Sequence, residues 1–523
     1  LAGNYTCGQD PFNIVATSGQ LGVQIRLGPA QITLEQQIVI PDKSSLIGIN
    51  PLGGSSLNTL LILDTAKSLK ASISTASRTT GGNGNGYVAT YTLASIPAGF
   101  IWKNNSFAVV EGFTGADTTF NAVCQMQNIN VATKQFQCLY PDMSVNTATT
   151  TGTVTIPLLW VGNAYGSALA ASSGSRVENL AVDCGGTTAP VSDCIAVFSN
   201  TANENSGLTN VFLKNITRYG VWYYKDAYNG APQNWNDKDL YIELALTQAN
   251  EACYKASAGG GLTWGRIMDG LTCRGLTGIH ATQGGTAVGV QVDCMLGGGY
   301  SGVHCEMINT CLDLAETAQV NGLTFIAPTS YSLASMTTSD TVKIASTATS
   351  TSINIFGVAK LGQGNNTVNN MVMGNGTSNA LTRTSLGAFL LGDDSQPCHF
   401  VMSSQTPSCL DANLDMYETT GNTRTVTMLS DASNPGIAFG PKVVMPPVDD
   451  TVFYRQASGT LAVKNPRLSP AAGQLVTNEI STRLTGQTGN SNAAGKLMLS
   501  GGTVTYTFAP TYGANPVCIV ADT

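Results

Sequence analysis

Charge is what this 523-residue sequence has least of. Its 25 Lys+Arg and 32 Asp+Glu make up 11% of the chain, less than half the roughly 25% of an ordinary soluble domain. No basic run occurs and the formal net charge is −7, which argues against a nucleic-acid partner, because neutralising phosphates takes clustered Lys and Arg. The same balance gives no handle on an anionic membrane. The longest apolar stretches, such as Ile156 to Val161, fall far short of the roughly 20 residues of a spanning helix. Helical periodicity is nearly absent. There is no G-x-S-x-G elbow, H-E-x-x-H, P-loop or EF-hand loop. With only His280, His304 and His399, neither a His-based triad nor a multi-His metal centre is supported, and no metal or cofactor is expected.

Apolar residues at 42% suffice for a sizeable core, the reverse of a disordered composition. The 57 Gly, with abundant Ser, Thr and Asn, leave an uncharged polar surface. Thirteen Cys without a C-x-x-C pair or metal-type spacing point to an oxidising compartment, hence a secreted, extracellular or cell-surface protein. The chain opens at Leu1 without a signal-like segment, so secretion implies that a signal has been removed. Sequons at Asn4, Asn104, Asn215, Asn365 and Asn375 fit such a surface but arise easily by chance in this composition.

Short β-branched and aromatic runs separated by Gly, Asn, Ser and Pro predict an all-β chain. Repetition selects the architecture. Small–aliphatic pairs recur at Cys194-Ile195, Gly220-Val221, Ala252-Cys253, Gly278-Ile279 and Gly302-Val303, in steps of 26, 32, 26 and 24 residues. Between them lie strand-like runs at Val177 to Val182, Leu208 to Ile216, Leu240 to Leu244, Ile267 to Cys273 and Val290 to Cys294. Two alternating strand types at this period are what a parallel β-solenoid requires. The literal G-x-G-x-x-G at Gly297 to Gly302 has no helix after it to receive a phosphate, so it reads as turn chemistry.

The opening run Gly22-Val23-Gln24-Ile25-Arg26-Leu27-Gly28-Pro29-Ala30-Gln31-Ile32, then Ile38-Val39-Ile40-Pro41 and Leu46-Ile47-Gly48, resembles the first coil of pectate-lyase-like right-handed parallel β-helices. The usual Leu-Pro-x-Gly order is altered here to Leu27-Gly28-Pro29-Ala30. The resemblance covers about half the chain and implies the fold more firmly than an activity, since that superfamily spans lyases, hydrolases, phage tailspikes and adhesins. The segment Gly495 to Thr523, with alternation at Val504, Tyr506 and Phe508 and a strand Val517 to Val520, resembles the C-terminal β-sandwich of some secreted bacterial solenoid proteins. In that pattern a further strand would follow.

The expected organisation is all-β: an N-terminal extended arm (1–20), first β-helix coils (21–83), an inserted small β-sandwich or barrel (84–158), the main β-helix (159–372), a β-rich connector (373–455) and a C-terminal β-sandwich lacking a strand (456–523). For polysaccharide chemistry, the richest stretch holds the carboxylates Asp226, Asp237, Asp239 and Glu243 with the aromatics Trp222, Tyr223, Tyr224 and Trp235. Carboxylates could act as acid and base and rings could stack on sugars. The competing reading is turn-closing Asp with aromatics covering the solenoid's flank, and no carboxylate pair recurs at a coil spacing that would fix a site.

Local disulfides are expected at Cys124–Cys138, Cys184–Cys194, Cys273–Cys294, Cys305–Cys311 and Cys398–Cys409, with Cys294–Cys305 a competitor. Cys253 sits in an aliphatic slot and is expected as a buried free thiol. Cys7 and Cys518 remain, at opposite ends. A sandwich short of a strand exposes an edge that the N-terminal arm of a neighbouring copy could fill, locked by Cys7–Cys518. The arm could equally cap its own solenoid. These features predict a structural subunit, a head-to-tail homopolymer forming an extracellular filament or adhesive appendage, with surface polysaccharide as a further partner. The alternatives are a secreted polysaccharide lyase or glycoside hydrolase, and a tailspike-like receptor binder.

Overall fold

The computed structural model describes residues 22–332, apart from 41, 52–57, 81–86, 141–144, 163–173, 187–188, 201–205, 226–234, 259–262 and 276–285, and beyond them a series of strands ending at Thr460–Lys464. The chain divides into two units, residues 1–403 and 404–523.

In the larger unit, strands one coil apart pair in parallel, in three columns. The first stacks Gln24–Arg26 on Ser45–Ile47 and then on the first halves of Arg176–Asp183, Gly207–Ile216 and Asn236–Leu244. The second begins with Ala30–Leu34 on Thr59–Leu63 and continues through the second halves of those long strands. The third stacks Ile38–Val39, Leu159–Val161, Ile195–Ser199, Tyr219–Lys225 and Ala252–Ala258, then the start of Val288–Glu306. The chain is a parallel β-helix, and its parallel pairing runs on to Phe400–Met402, past residue 372.

Each long strand turns from the first column to the second at one position, occupied by Asn179, Asn210, Asp239, Gly270 and Gly302, all with φ between 51° and 78°. Left-handed backbone is tolerated by Asn, Asp and Gly and penalised in most other residues. Asn210 Nδ2 also donates to Asn179 Oδ1 at 2.8 Å, one coil away. Inside the coils, Leu180, Val211, Leu240, Leu271 and Val303 form a buried aliphatic ladder.

This register differs from that suggested by the small–aliphatic pairs. Ile195 stands against Tyr219, and Tyr219 against Ala252; Val221 stands against Val197, while Val303 belongs to the second column beside Leu271. Gly278-Ile279 lies outside the described residues. Coil length is the cause: from Ile195 through Tyr219, Ala252, Val288 and Thr310 the steps are 24, 33, 36 and 22 residues, against 26, 32, 26 and 24 for the pairs, so the two series fall out of phase. The glycine run is a corner, with Gly297 and Gly298 at φ 66° and 154° within Val288–Glu306.

Between the second and third columns of one coil, the chain forms a seven-stranded antiparallel sheet. Its order is Gln127–Asn130, Gln135–Tyr140, Tyr87–Leu93, Lys70–Thr80, Gly152–Thr155, Phe107–Glu111 and Ala122–Gln125. Lys70–Thr80 pairs antiparallel with Tyr87–Leu93, so this sheet starts before residue 84. The disulfide Cys124–Cys138 joins one edge strand to the strand next to the other edge. The sheet therefore curls around a core that includes Tyr91, Phe120 and Phe136.

Cys184–Cys194 and Cys305–Cys311 are also bonded. Cys253 is not free: it is bonded to Cys273, with Cα atoms 5.9 Å apart, which also replaces Cys273–Cys294. Cys253 in the third column and Cys273 in the second column of the next coil meet inside the solenoid, a proximity that sequence distance hides. Cys7, Cys398, Cys409 and Cys518 lie outside the described residues.

The smaller unit contains a five-stranded antiparallel sheet, Asp415–Tyr417, Arg424–Leu429, Gly436–Phe439, Thr451–Ala457 and Thr460–Lys464. It runs across residue 455, where a domain boundary is expected from the sequence. Residues 465–523, which include most of the expected terminal sandwich, lie outside the described residues.

Asn210→Val should cost about 1–2 kcal/mol in denaturant unfolding, because a β-branched residue is forced left-handed, whereas Asn210→Gly should cost less. Buried Glu251 holds the turn after Asn236–Leu244 by accepting the backbone N–H groups of Leu246, Thr247 and Gln248 at 2.7–2.8 Å. Burial outweighs these donors and raises its pKa from 4.5 to about 6. The folded protein thus keeps this proton where the unfolded chain has lost it. That stabilisation is complete below pH 4.5 and disappears as pH rises through 6, an effect of about 2 kcal/mol. Unfolding free energies from pH 4 to 7 should show this decline in the wild type and a flatter profile in Glu251→Gln.

Candidate functional site

The residues singled out between 222 and 243 do not form one surface site: Tyr223, Trp235 and Asp237 meet in the buried core and the others lie elsewhere. Trp222 is 4% exposed on the outer side of the third column, where its Nε1 donates to Ser257 Oγ at 2.7 Å. Tyr224 lies beside it, with ring centroids 5.5 Å apart. Tyr223 and Trp235 point into the solenoid core, their centroids 4.8 Å apart. Asp226 lies outside the described residues.

Asp237 is buried at the inward first-column position that Leu208 and Met268 fill on neighbouring coils. Its carboxylate accepts Tyr223 Oη–H and Tyr254 Oη–H at 2.8 Å each and the Leu208 N–H at 2.9 Å. Asp239 is the exposed corner residue with φ 53°. Asp237 meets Tyr223 inside the core, away from any open groove, while the left-handed corner turns Asp239 out to the surface.

The outer third-column aromatics are covered. Phe107 of the antiparallel sheet stacks on Trp160 at 4.9 Å, and Trp160 on Phe198 at 4.3 Å. Phe198 meets Trp222 edge-on at 5.2 Å. Polar clamps frame this contact. Gln37 donates from Nε2 to the Phe107 and Pro157 carbonyls and accepts the Phe107 N–H, all at 2.7–2.9 Å. Arg218 pairs with Glu111 and donates to Thr155 Oγ1 at 3.0 Å.

Glu243 instead belongs to a partly exposed strip on the outside of the second column. Along it Asp183 stands in register with Lys214 and, beyond a register shift, Glu243 with Arg274 and Glu306, alternating in sign. Lys214 Nζ lies 3.9 Å from Asp183 and Arg274 Nε 3.2 Å from Glu306. The adjacent row is Phe212, Tyr241, Thr272 and His304. The rings of Phe212 and Tyr241 meet edge-on at 4.8 Å, and Arg274 Nη1 lies 3.4 Å from Tyr241 Oη.

Burial raises the pKa of Asp183, against the opposing effects of Asn215, Lys214 and Gly185. It raises that of Glu243 likewise, against the nearby charges of Lys214 and Arg274. These two carboxylates stand two coils apart, about 9.6 Å along the stack, at the outer limit for an inverting glycosidase pair. Lys214 holds the position between them. The arrangement suits recognition of hydroxyls and rings better than bond cleavage. The strip is not visible in the sequence because its members come from five coils and are assembled only by stacking. Among the described residues no cluster of three or more metal-ligating side chains occurs, and no helix is long and apolar enough to cross a membrane.

No family model and no curated protein matches the chain. Among solved structures it is similar to ORF18 of Geobacillus virus E2, at 10% identity and a TM-score of 0.33, over 89% of this chain and 73% of that one. The tailspike protein gp49 of Pseudomonas phage LKA1 matches at 11% identity and 0.18, covering 72% and 75%. The A-module of mannuronan C-5 epimerase AlgE4 from Azotobacter vinelandii matches at 7% and 0.21, covering 76% and 94%. Scores of this size carry no assignment of function. The fold stands on the parallel registers themselves.

Asp237→Ala should destabilise the protein by about 3–5 kcal/mol, since two tyrosine hydroxyls lose their acceptor in the core. Equilibrium unfolding of the variant checks this; a loss under 1 kcal/mol would remove Asp237 from its structural role.

Proposed function

We propose that this chain is an extracellular β-helix protein that holds a polysaccharide along the outer strip of its second column. The observation that carries the reading is the pairing of aromatic rings with alternating charges at Phe212, Lys214, Tyr241, Glu243 and Arg274. Parallel stacking repeats these groups at the coil spacing of about 4.8 Å, a periodic surface fitted to a periodic ligand. Aromatic faces take the C–H side of a sugar ring, while carboxylates and guanidinium groups take its hydroxyls. Four disulfides fit an oxidising exterior. A receptor-binding spike would use the same strip. On this strip, a lyase or hydrolase reading would draw its acid and base from Asp183, Glu243 and Glu306 around Lys214 and Arg274. Calorimetric titration against a panel of bacterial and plant polysaccharides should identify a ligand whose affinity falls at least about tenfold in Tyr241→Ala and Arg274→Ala. Equal affinity in wild type and both variants would reject the strip.

A second reading, the head-to-tail filament, draws on an open edge. Among the described residues Gln24–Arg26 and Ala30–Leu34 pair on one side only, and a strand edge of this kind recruits further chain. Cys7 and Cys518 would lock such a joint. Purified material run without reductant should give a ladder of multimers that collapses on reduction; a single monomer band would reject the covalent filament.

A further inference from the structure

A separate cleft lies where the turn after Ala30–Leu34 meets the segment between Tyr87–Leu93 and Phe107–Glu111. The cleft is lined by Glu35, Gln36, Lys67, Phe100, Trp102 and Lys103 and measures about 240 Å³. That is below the roughly 300–1,000 Å³ of pockets for drug-sized ligands and is enough to seat one sugar ring.

Its floor is fixed by backbone contacts between two separate stretches. Ser68 N–H donates to Gly99 O at 3.1 Å, and Ile101 N–H donates to Ser68 O at 3.2 Å. Gly99 has φ 68°, and a Cβ there would come within 2.0 Å of the Ala66 carbonyl oxygen. The close approach requires glycine and sets the loop before any ligand arrives. On this floor Phe100 is buried while Trp102 stays partly exposed, with ring centroids 5.8 Å apart.

The polar rim combines both hydrogen-bonding senses. Lys103 Nζ donates to the neutral Gln36 Oε1 at 3.0 Å, so it keeps donors for a ligand. Lys67 lies 3.9 Å from Asp64, and the exposed Glu35 supplies an acceptor. The lining carries Glu35, Lys67 and Lys103, and Asp64 outside it pairs with Lys67, so no strong excess of charge draws an anionic ligand and the groups left at the rim suit hydroxyls. A partly exposed indole on a rigid floor, ringed by such groups, fits a flat C–H face with equatorial hydroxyls.

We infer that this cleft binds one neutral pyranose unit, independently of the second-column strip. Saturation-transfer NMR on the full chain, with methyl glycosides of glucose, galactose, mannose and xylose as probes and glucuronate as the charged control, tests it. The expected result is transfer to the ring C–H protons of at least one neutral glycoside at millimolar concentration. It should fall at least about fivefold in Trp102→Ala and weaken in Glu35→Gln, while persisting in Tyr241→Ala. Unchanged transfer in Trp102→Ala, its loss in Tyr241→Ala, a preference for glucuronate, or no transfer from any probe would each overturn the assignment. Matching circular dichroism and melting temperatures for Trp102→Phe and Trp102→Ala would separate lost stacking from lost folding.

Discussion

A coil of this protein cannot satisfy its own backbone. Each strand offers a row of N–H and C=O groups above and below, and these are paired only by the coils before and after it. Parallel stacking in register is therefore the constraint on which everything else depends. It sets inward and outward positions coil after coil. It also turns single residues into ladders: aliphatic inside, Asn/Asp/Gly at the left-handed corner, and alternating charges on the second column. The low charge content of the chain acquires a meaning here, because the few ionised side chains on that face are concentrated into one stripe.

The antiparallel sheet between residues 64 and 158 solves a different problem. Third-column strands carry Trp160, Phe198 and Trp222 on their outer side, a hydrophobic patch too large to leave in water. Phe107, Val109 and Val123 of the antiparallel sheet cover it, while Gln37 and Arg218 satisfy the polar groups at its margin. Trp222, Tyr223 and Trp235, which look like sugar platforms in the sequence, are thus buried, while Phe212 and Tyr241 are partly exposed on another column.

The fold class was legible because alternation and repetition are local, and both survive in the one-dimensional pattern. The exact register was not. Coils of 22 to 36 residues carry loops of unequal length, so aligning small–aliphatic pairs puts Val303 beside the wrong partners and leaves Cys253 without Cys273. The short-range cysteine pairs Cys124–Cys138, Cys184–Cys194 and Cys305–Cys311 could be proposed from proximity in sequence; the bridge between two columns could not. Glu243 drew attention as one of several carboxylates. Its neighbours Lys214, Arg274 and Glu306 were invisible as a group until the coils were stacked, and Asp237 was misleading because one inward position carries a carboxylate where its neighbours carry Leu and Met.

The central claim is that the ligand surface lies on the second column and that the third-column aromatics are sealed. Hydroxyl-radical footprinting with and without a bound polysaccharide reads both halves at once, because oxidation follows side-chain exposure. Phe212 and Tyr241 should oxidise readily in the free protein and be protected by the ligand, while Trp160 and Trp222 stay unmodified throughout. Ready oxidation of Trp160 and Trp222 in the free protein, or ligand protection there in place of Tyr241, would contradict the account.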